Sequence, residues 1–118
     1  MVAPRDVIRI LDRFTRPNKD KLHICVCDRL QLFLRINSQA VFQPAHPILR
    51  ADNKSFLTHD SFVELQQLIR NVADDIAQAE YLGKMNMNEA RKLVEAAERA
   101  VTLTDEQKEL IRERLLEP

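Results

Sequence analysis

The chain has 118 residues, 45% apolar and 31% charged, which suits one soluble domain over 1–118 with a single packed core. Its formal charge is zero. Ten Lys/Arg stand against five Asp/Glu over residues 1–58, however, and eight against thirteen over 59–118. A polyanion is therefore expected at the first half and repulsion or shielding at the second. The one glycine, Gly83, excludes phosphate loops and dinucleotide fingerprints, so no nucleotide cofactor is expected. No apolar run of about 18 residues is present to span a membrane, and no leader-like stretch opens the chain, so the expected address is cytoplasmic.

Asp6 to Phe14 fits two patterns. Val7, Ile10, Leu11 and Phe14 would share a helical face, while the β-branched Val-Ile-Arg-Ile suits a strand. Lys21 to Cys27 alternates Leu22, Ile24 and Val26 against a second face, and Gln31 to Ser38 sets Leu32, Leu34 and Ile36 against Phe33, Arg35 and Asn37. With Asp28-Arg29-Leu30 as the turn, the two predict a β-hairpin. Pro44 and Pro47 confine any strand over Val41 to Arg50 to a short or edge position. Between Ser61 and Val72 the spacing of Phe62, Leu65, Ile69 and Val72 predicts a helix, with Ser61 and Glu64 as a capping box. Farther on, Asp74 to Leu82 predicts a short helix stopped by Gly83. Asn88 would cap a second helix buried through Ala90, Leu93, Val94, Ala97 and Val101. Thr104 and Gln107 form a capping box for a third.

His23, Cys25 and Cys27 would share a strand face, spaced roughly 6.6–6.8 Å apart. That is too far for one zinc with bonds of about 2.3 Å, so they are assigned as strand filling and no metal is expected. Three polar clusters remain. Arg16, Lys19 and Lys21 lie in one exposed loop, where cations can hold phosphate. Arg35, Asn37 and Ser38 end a strand, and His59 lies beside Asp60 and Ser61. Convergence of these clusters would suit a phosphodiester. A ribonuclease without metal needs a base for the 2′-hydroxyl, donors for the charged transition state and an acid for the leaving oxygen. Single-stranded RNA would be favoured because its bases are exposed. With five Phe, one Tyr and no Trp, little base stacking is expected.

The segment Ser61-Phe-Val-Glu-Leu-Gln-Gln-Leu-Ile-Arg-Asn-Val72, followed by Leu82-Gly-Lys-Met85 and a helix ending near Leu103, resembles the MazF/PemK-like toxin family. Asp6-Val-Ile-Arg-Ile10 is similar to that family's first strand, Lys21 to Cys27 to its second, and Leu34-Arg-Ile-Asn-Ser38 to a later one. The resemblance implies an α+β fold: a small SH3-like β-barrel over about 5–72, followed by two or three C-terminal helices over about 73–116. It turns Ser61 to about Gln67 towards strand. It implies a toxin-like, metal-independent endoribonuclease or a degenerate relative, often dimeric and paired with an antitoxin protein. The alternative is the same barrel binding protein or RNA without cutting. Lys21, Ser38 and Arg16 would be catalytic, Lys21 standing where the family has an arginine. Lys19, Arg35, Asn37, His59 and Ser61 would bind RNA. The acidic helices would cover the basic face until a partner displaces them.

Overall fold

In the computed structural model, which describes Met1–Pro118, the strands are β1 (Asp6–Asp12), β2 (Lys19–Cys27), β3 (Leu32–Asn37), β4 (Ala45–Ile48), β5 (Ser61–Glu64), β6 (Ile69–Arg70) and β7 (Glu80–Lys84). The helices are α1 (Ala73–Gln78), α2 (Met87–Glu98) and α3 (Asp105–Leu115). All strand pairs are antiparallel, in the order β4-β5-β3-β2-β1-β7, with β6 added to β3. The class is α+β, as expected, with a small β unit ahead of the two long helices.

Alternation gives the sheet two buried faces. Val7, Ile24, Leu34, Ile36 and Val63 point to the first, where α2 packs through Leu93, Val94 and Ala97 and α3 through Ile111 and Leu115. This cluster holds 20 buried residues against four for Ile8, Ile10, Cys25 and Phe33 behind the sheet, so the first face is the main core. Each buried Leu or Ile contributes about 1.5–3 kcal/mol there. The helices therefore seal apolar surface rather than cover the basic face, because Lys21, Arg35 and Asn37 point the other way. A register shift between Cys25 and Cys27 sends Cys27 into the main core and leaves Cys25 behind. His23, Cys25 and Cys27 thus do not share one face.

The hairpin forms as expected, closed by Asp28 to Gln31, with Gln31 in the left-handed region at φ 58°. β4 is a short edge strand containing Pro47. Asp6 to Asp12 resolves as a strand because both of its edges are paired, to β2 and β7. Of the strand expected over Ser61 to about Gln67 only Ser61–Glu64 forms, as β5, and the helical reading of 61–72 fails. Ser61 does not cap; its Oγ donates to the His59 carbonyl instead. The helix expected through Leu82 ends at Gln78, since Glu80 and Tyr81 pair with β1. Gly83 lies inside β7 rather than past a helix end, where a Cβ would sit 2.7 Å from Ser55 Oγ. The N-cap of α2 is Asn86, whose side chain accepts from the Glu89 N–H, rather than Asn88. The capping box at Thr104 and Gln107 forms as expected.

Candidate functional site: a polar row behind the sheet

The register Leu22↔Ile36↔Val63 sets Lys21, Asn37 and Phe62 side by side on β2, β3 and β5. Alternation then carries Lys21 and His23 from β2, Arg35 and Asn37 from β3, and Glu64 from β5 to the face behind the main core. Such groups are tolerated in a protein interior only when hydrogen-bonded to one another, and these are. The Lys21 ammonium donates to Asn37 Oδ1 at 2.7 Å. The Asn37 amide donates to Glu64 Oε2 at 3.2 Å, and Arg35 Nη1 donates to the same oxygen at 3.1 Å. Arg35 then forks onto Asp12, with Nε at 2.6 Å and Nη2 at 3.1 Å. His23 Nε2 lies 3.1 Å from Asp12, and the Asn71 amide lies 3.0 Å from His23 Nδ1. With the Asn71 amide donating to Nδ1, the Nε2–H faces the carboxylate.

Burial decides what each group can do. Asp12 and His23 are fully buried, and Arg35, Asn37 and Glu64 nearly so; Lys21 is the row's half-exposed member. Burial pushes the Asp12 carboxyl up, but hydrogen bonds from His23 and Arg35 overcome it and hold the group well below the usual carboxylate range. Burial lowers the Arg35 value, and its bond and charge interactions with Asp12 and Glu64 reverse that, so the cation is kept. At Lys21 burial comes first and the Arg35 charge second, and together they lower the ammonium's pKa. The lysine end is the row's one outlet to solvent, and Glu64 Oε1 is a buried oxygen without a partner.

Three of the residues expected from sequence, Lys21, Arg35 and Asn37, are joined in this row. Arg35 is engaged by two carboxylates, so its guanidinium is not free for a ligand. Ser38 is exposed directly after Asn37 and Arg16 is exposed in the β1–β2 loop, while Lys19 is exposed at the first position of β2, so that Lys19 and Lys21 lie on the strand rather than in the loop expected for them. Ser61 lies at the same end of the sheet by register, but it alternates with Phe62 and Glu64 towards the opposite face. It contacts His59 Nδ1 at 3.2 Å, and His59 in turn meets the Asp60 carbonyl. The row also contains Asp12, Glu64 and Asn71, which sequence reasoning did not single out. Strand alternation was the signal available for Asp12, two places beyond Ile10 in a segment that also read as helix.

Two depressions lie elsewhere. An apolar cavity of about 510 Å³ is lined by Val2, Ile8, Ala73, Ile76 and Tyr81 among others. A polar one of about 580 Å³ is lined largely by Arg9, Arg13, Asp20, Asp74, Asp75 and Glu80. Neither contains a member of the row. No group of three His, Cys, Asp or Glu is placed to hold a metal ion, and no helix is long and apolar enough to cross a membrane. Cys25 and Cys27 are free and buried, and burial pushes the Cys25 thiol up to about 12. No protein-family model, curated protein or solved structure matches the chain.

Proposed function

We propose that this protein is a toxin-like endoribonuclease that works without metal on single-stranded RNA, in line with its resemblance to MazF/PemK-like toxins. The observation that carries the reading is the Lys21–Asn37 contact, which brings two of the three polar segments together at the end of the sheet where Ser38 follows Asn37 in the chain. Lys21 is held in place through Asn37 and Glu64, so its ammonium meets a phosphate without having to be ordered first. Its charge stabilises the oxygens of the pentacoordinate phosphorus as the 2′-oxygen gives its proton to water and bonds to phosphorus, and the 5′-oxygen leaves with a proton taken from water at the solvent-open lysine end. Ser38 supplies a neutral donor, and Arg16 and Lys19 supply cations for the flanking phosphates. An antitoxin protein and a second copy of the chain are the partners that go with this reading.

Binding without cleavage is the second reading, and Arg35 favours it: the best phosphate fork near the site is already spent on Asp12 and Glu64. End-labelled single-stranded RNA incubated with the protein in chelator separates the two. Cleavage by the wild type and its loss, by about 100-fold or more, in Lys21→Ala/Ser38→Ala supports the enzyme. Lys21-dependent binding with intact RNA supports the module. Wild-type protein that neither binds nor cuts RNA rejects both.

A further inference from the structure

We infer that Phe14 and Phe42 are stacking platforms for the bases of single-stranded RNA, on two loops that leave the end of the sheet where Lys21 meets Asn37. The inference rests on the RNA reading above and adds what would hold the bases. Of the five phenylalanines, Phe33 and Phe56 are buried and Phe62 is half-buried, while Phe14 is 62% and Phe42 45% exposed. A single apolar side chain in water is ordinary. Location and support set this pair apart.

The pairings Asp12↔Lys19 and Leu22↔Ile36 put the β1–β2 loop and the end of β3 at one end of the sheet. Phe14 lies in the first loop, with Arg16 and then Lys19 close behind it. Phe42 lies in the segment that leaves β3 at Ser38. Both segments are tied down. The Phe14 N–H donates to Asp12 Oδ1 at 2.9 Å, the carboxylate that also holds Arg35. Thr15 Oγ1 donates to the Asp12 carbonyl and accepts from the Lys19 N–H, closing the loop on itself. On the other side the Gln43 amide donates to the Ala40 carbonyl, and the Leu65 N–H donates to the Pro44 carbonyl at 2.8 Å. Two exposed rings on tied segments, one of them in the loop that carries Arg16 and leads into Lys19, cations with no acidic partner, have the composition of a surface that binds a single strand. Rings take base faces of any sequence, and cations take the phosphates between them. Little stacking was expected from the aromatic count; where the rings stand changes that expectation.

The test measures fluorescence anisotropy of a labelled uridine octamer and of the matching abasic ribose-phosphate octamer. The proteins are wild type, Lys21→Ala, Phe14→Ala/Phe42→Ala and Phe14→Tyr/Phe42→Tyr. Both rings are solvent-exposed, so these variants keep the fold. The alanine pair is expected to weaken uridine binding by on the order of tenfold per base and to leave abasic binding unchanged, while the tyrosine pair restores it. Lys21→Ala weakens both probes. Equal uridine affinity for wild type and the alanine pair, with Lys21 still required, overturns the stacking role and leaves the RNA reading standing. Equal loss on both probes also overturns it, since the rings would then act without bases. Failure of the wild type to bind either probe overturns both proposals together.

Discussion

Asp12 accepts from Arg35, from His23 and from the Phe14 backbone, so one carboxylate joins β1, β2, β3 and the first loop. Asp12→Asn keeps the volume and removes the charge that balances Arg35, leaving a buried guanidinium with Glu64 alone. Breaking a buried pair by removing one partner costs about 3–5 kcal/mol, and urea unfolding should show a loss of that order. The same carboxylate gives a pH dependence of known sign. Its folded pKa lies below the unfolded value of about 3.9, so its stabilisation is complete above that value and is lost as pH falls through the folded one. Acid unfolding of the wild type should steepen in that range, and the Asp12→Asn variant should lack this component. Lys21 runs the other way in binding. Its lowered pKa, set by burial and then by Arg35, means the ammonium discharges before an ordinary lysine at about 10.4. RNA affinity measured against pH should fall earlier than a free lysine would allow, and Lys21→Arg should remove that fall, because a guanidinium does not titrate there.

β7 shows how tertiary demand overrides local pattern. Asp74 to Leu82 has helix-forming residues, yet α1 stops after six residues with none of them buried. The chain then pairs with the open edge of β1, because unpaired backbone groups there would have to be satisfied by water or not at all. Gly83 is needed where β7 passes Ser55, whose Cβ would lie 3.0 Å from a new side chain. Gly83→Ala is expected to lower stability by about 1–3 kcal/mol, and Ser55→Gly in the same chain should recover most of it in thermal unfolding. What could be read from residues alone were the elements whose local signals agree with their packing. The hairpin alternates cleanly into a two-faced sheet, and Thr104 with Gln107 caps a helix that nothing else competes to reshape. Phe62, Leu65 and Ile69 carried helical spacing by coincidence, since β5 ends at Glu64 and β6 begins at Ile69. At the candidate site Lys21, Arg35 and Asn37 were legible because strand period 2 puts them on one side. Asp12, Glu64 and Asn71 were not, because their partners come from strands distant in sequence. Nor did the sequence show that Arg35 would be taken up by carboxylates.

At the scale of the whole molecule the question is whether the acidic half governs access to the basic one. The chain is about 31 × 30 × 30 Å, and the acidic helices α2 and α3 pack on the sheet face opposite Lys21. At physiological salt a charge is screened over about 8 Å, against about 30 Å at 0.01 M. The exposed carboxylates of Glu95, Glu106 and Glu113 therefore cannot be felt across the protein in the first condition and are felt across its full width in the second. Neutralising them to Gln should raise the association rate with single-stranded RNA several-fold at about 0.01 M salt and leave it unchanged at about 0.15 M. Lys19→Ala and Arg16→Ala, which on the proposed reading remove contacts to phosphate, should lower affinity at both salts. Stopped-flow anisotropy at the two ionic strengths distinguishes these cases. A helix-face effect that persisted at high salt would mean the carboxylates touch the RNA or a segment that competes with it, contrary to their place on the far side of the main core from Lys21. On the proposed RNA reading, the charge asymmetry orients the approach of a polyanion in dilute salt, while the residues at the end of the sheet decide whether it stays.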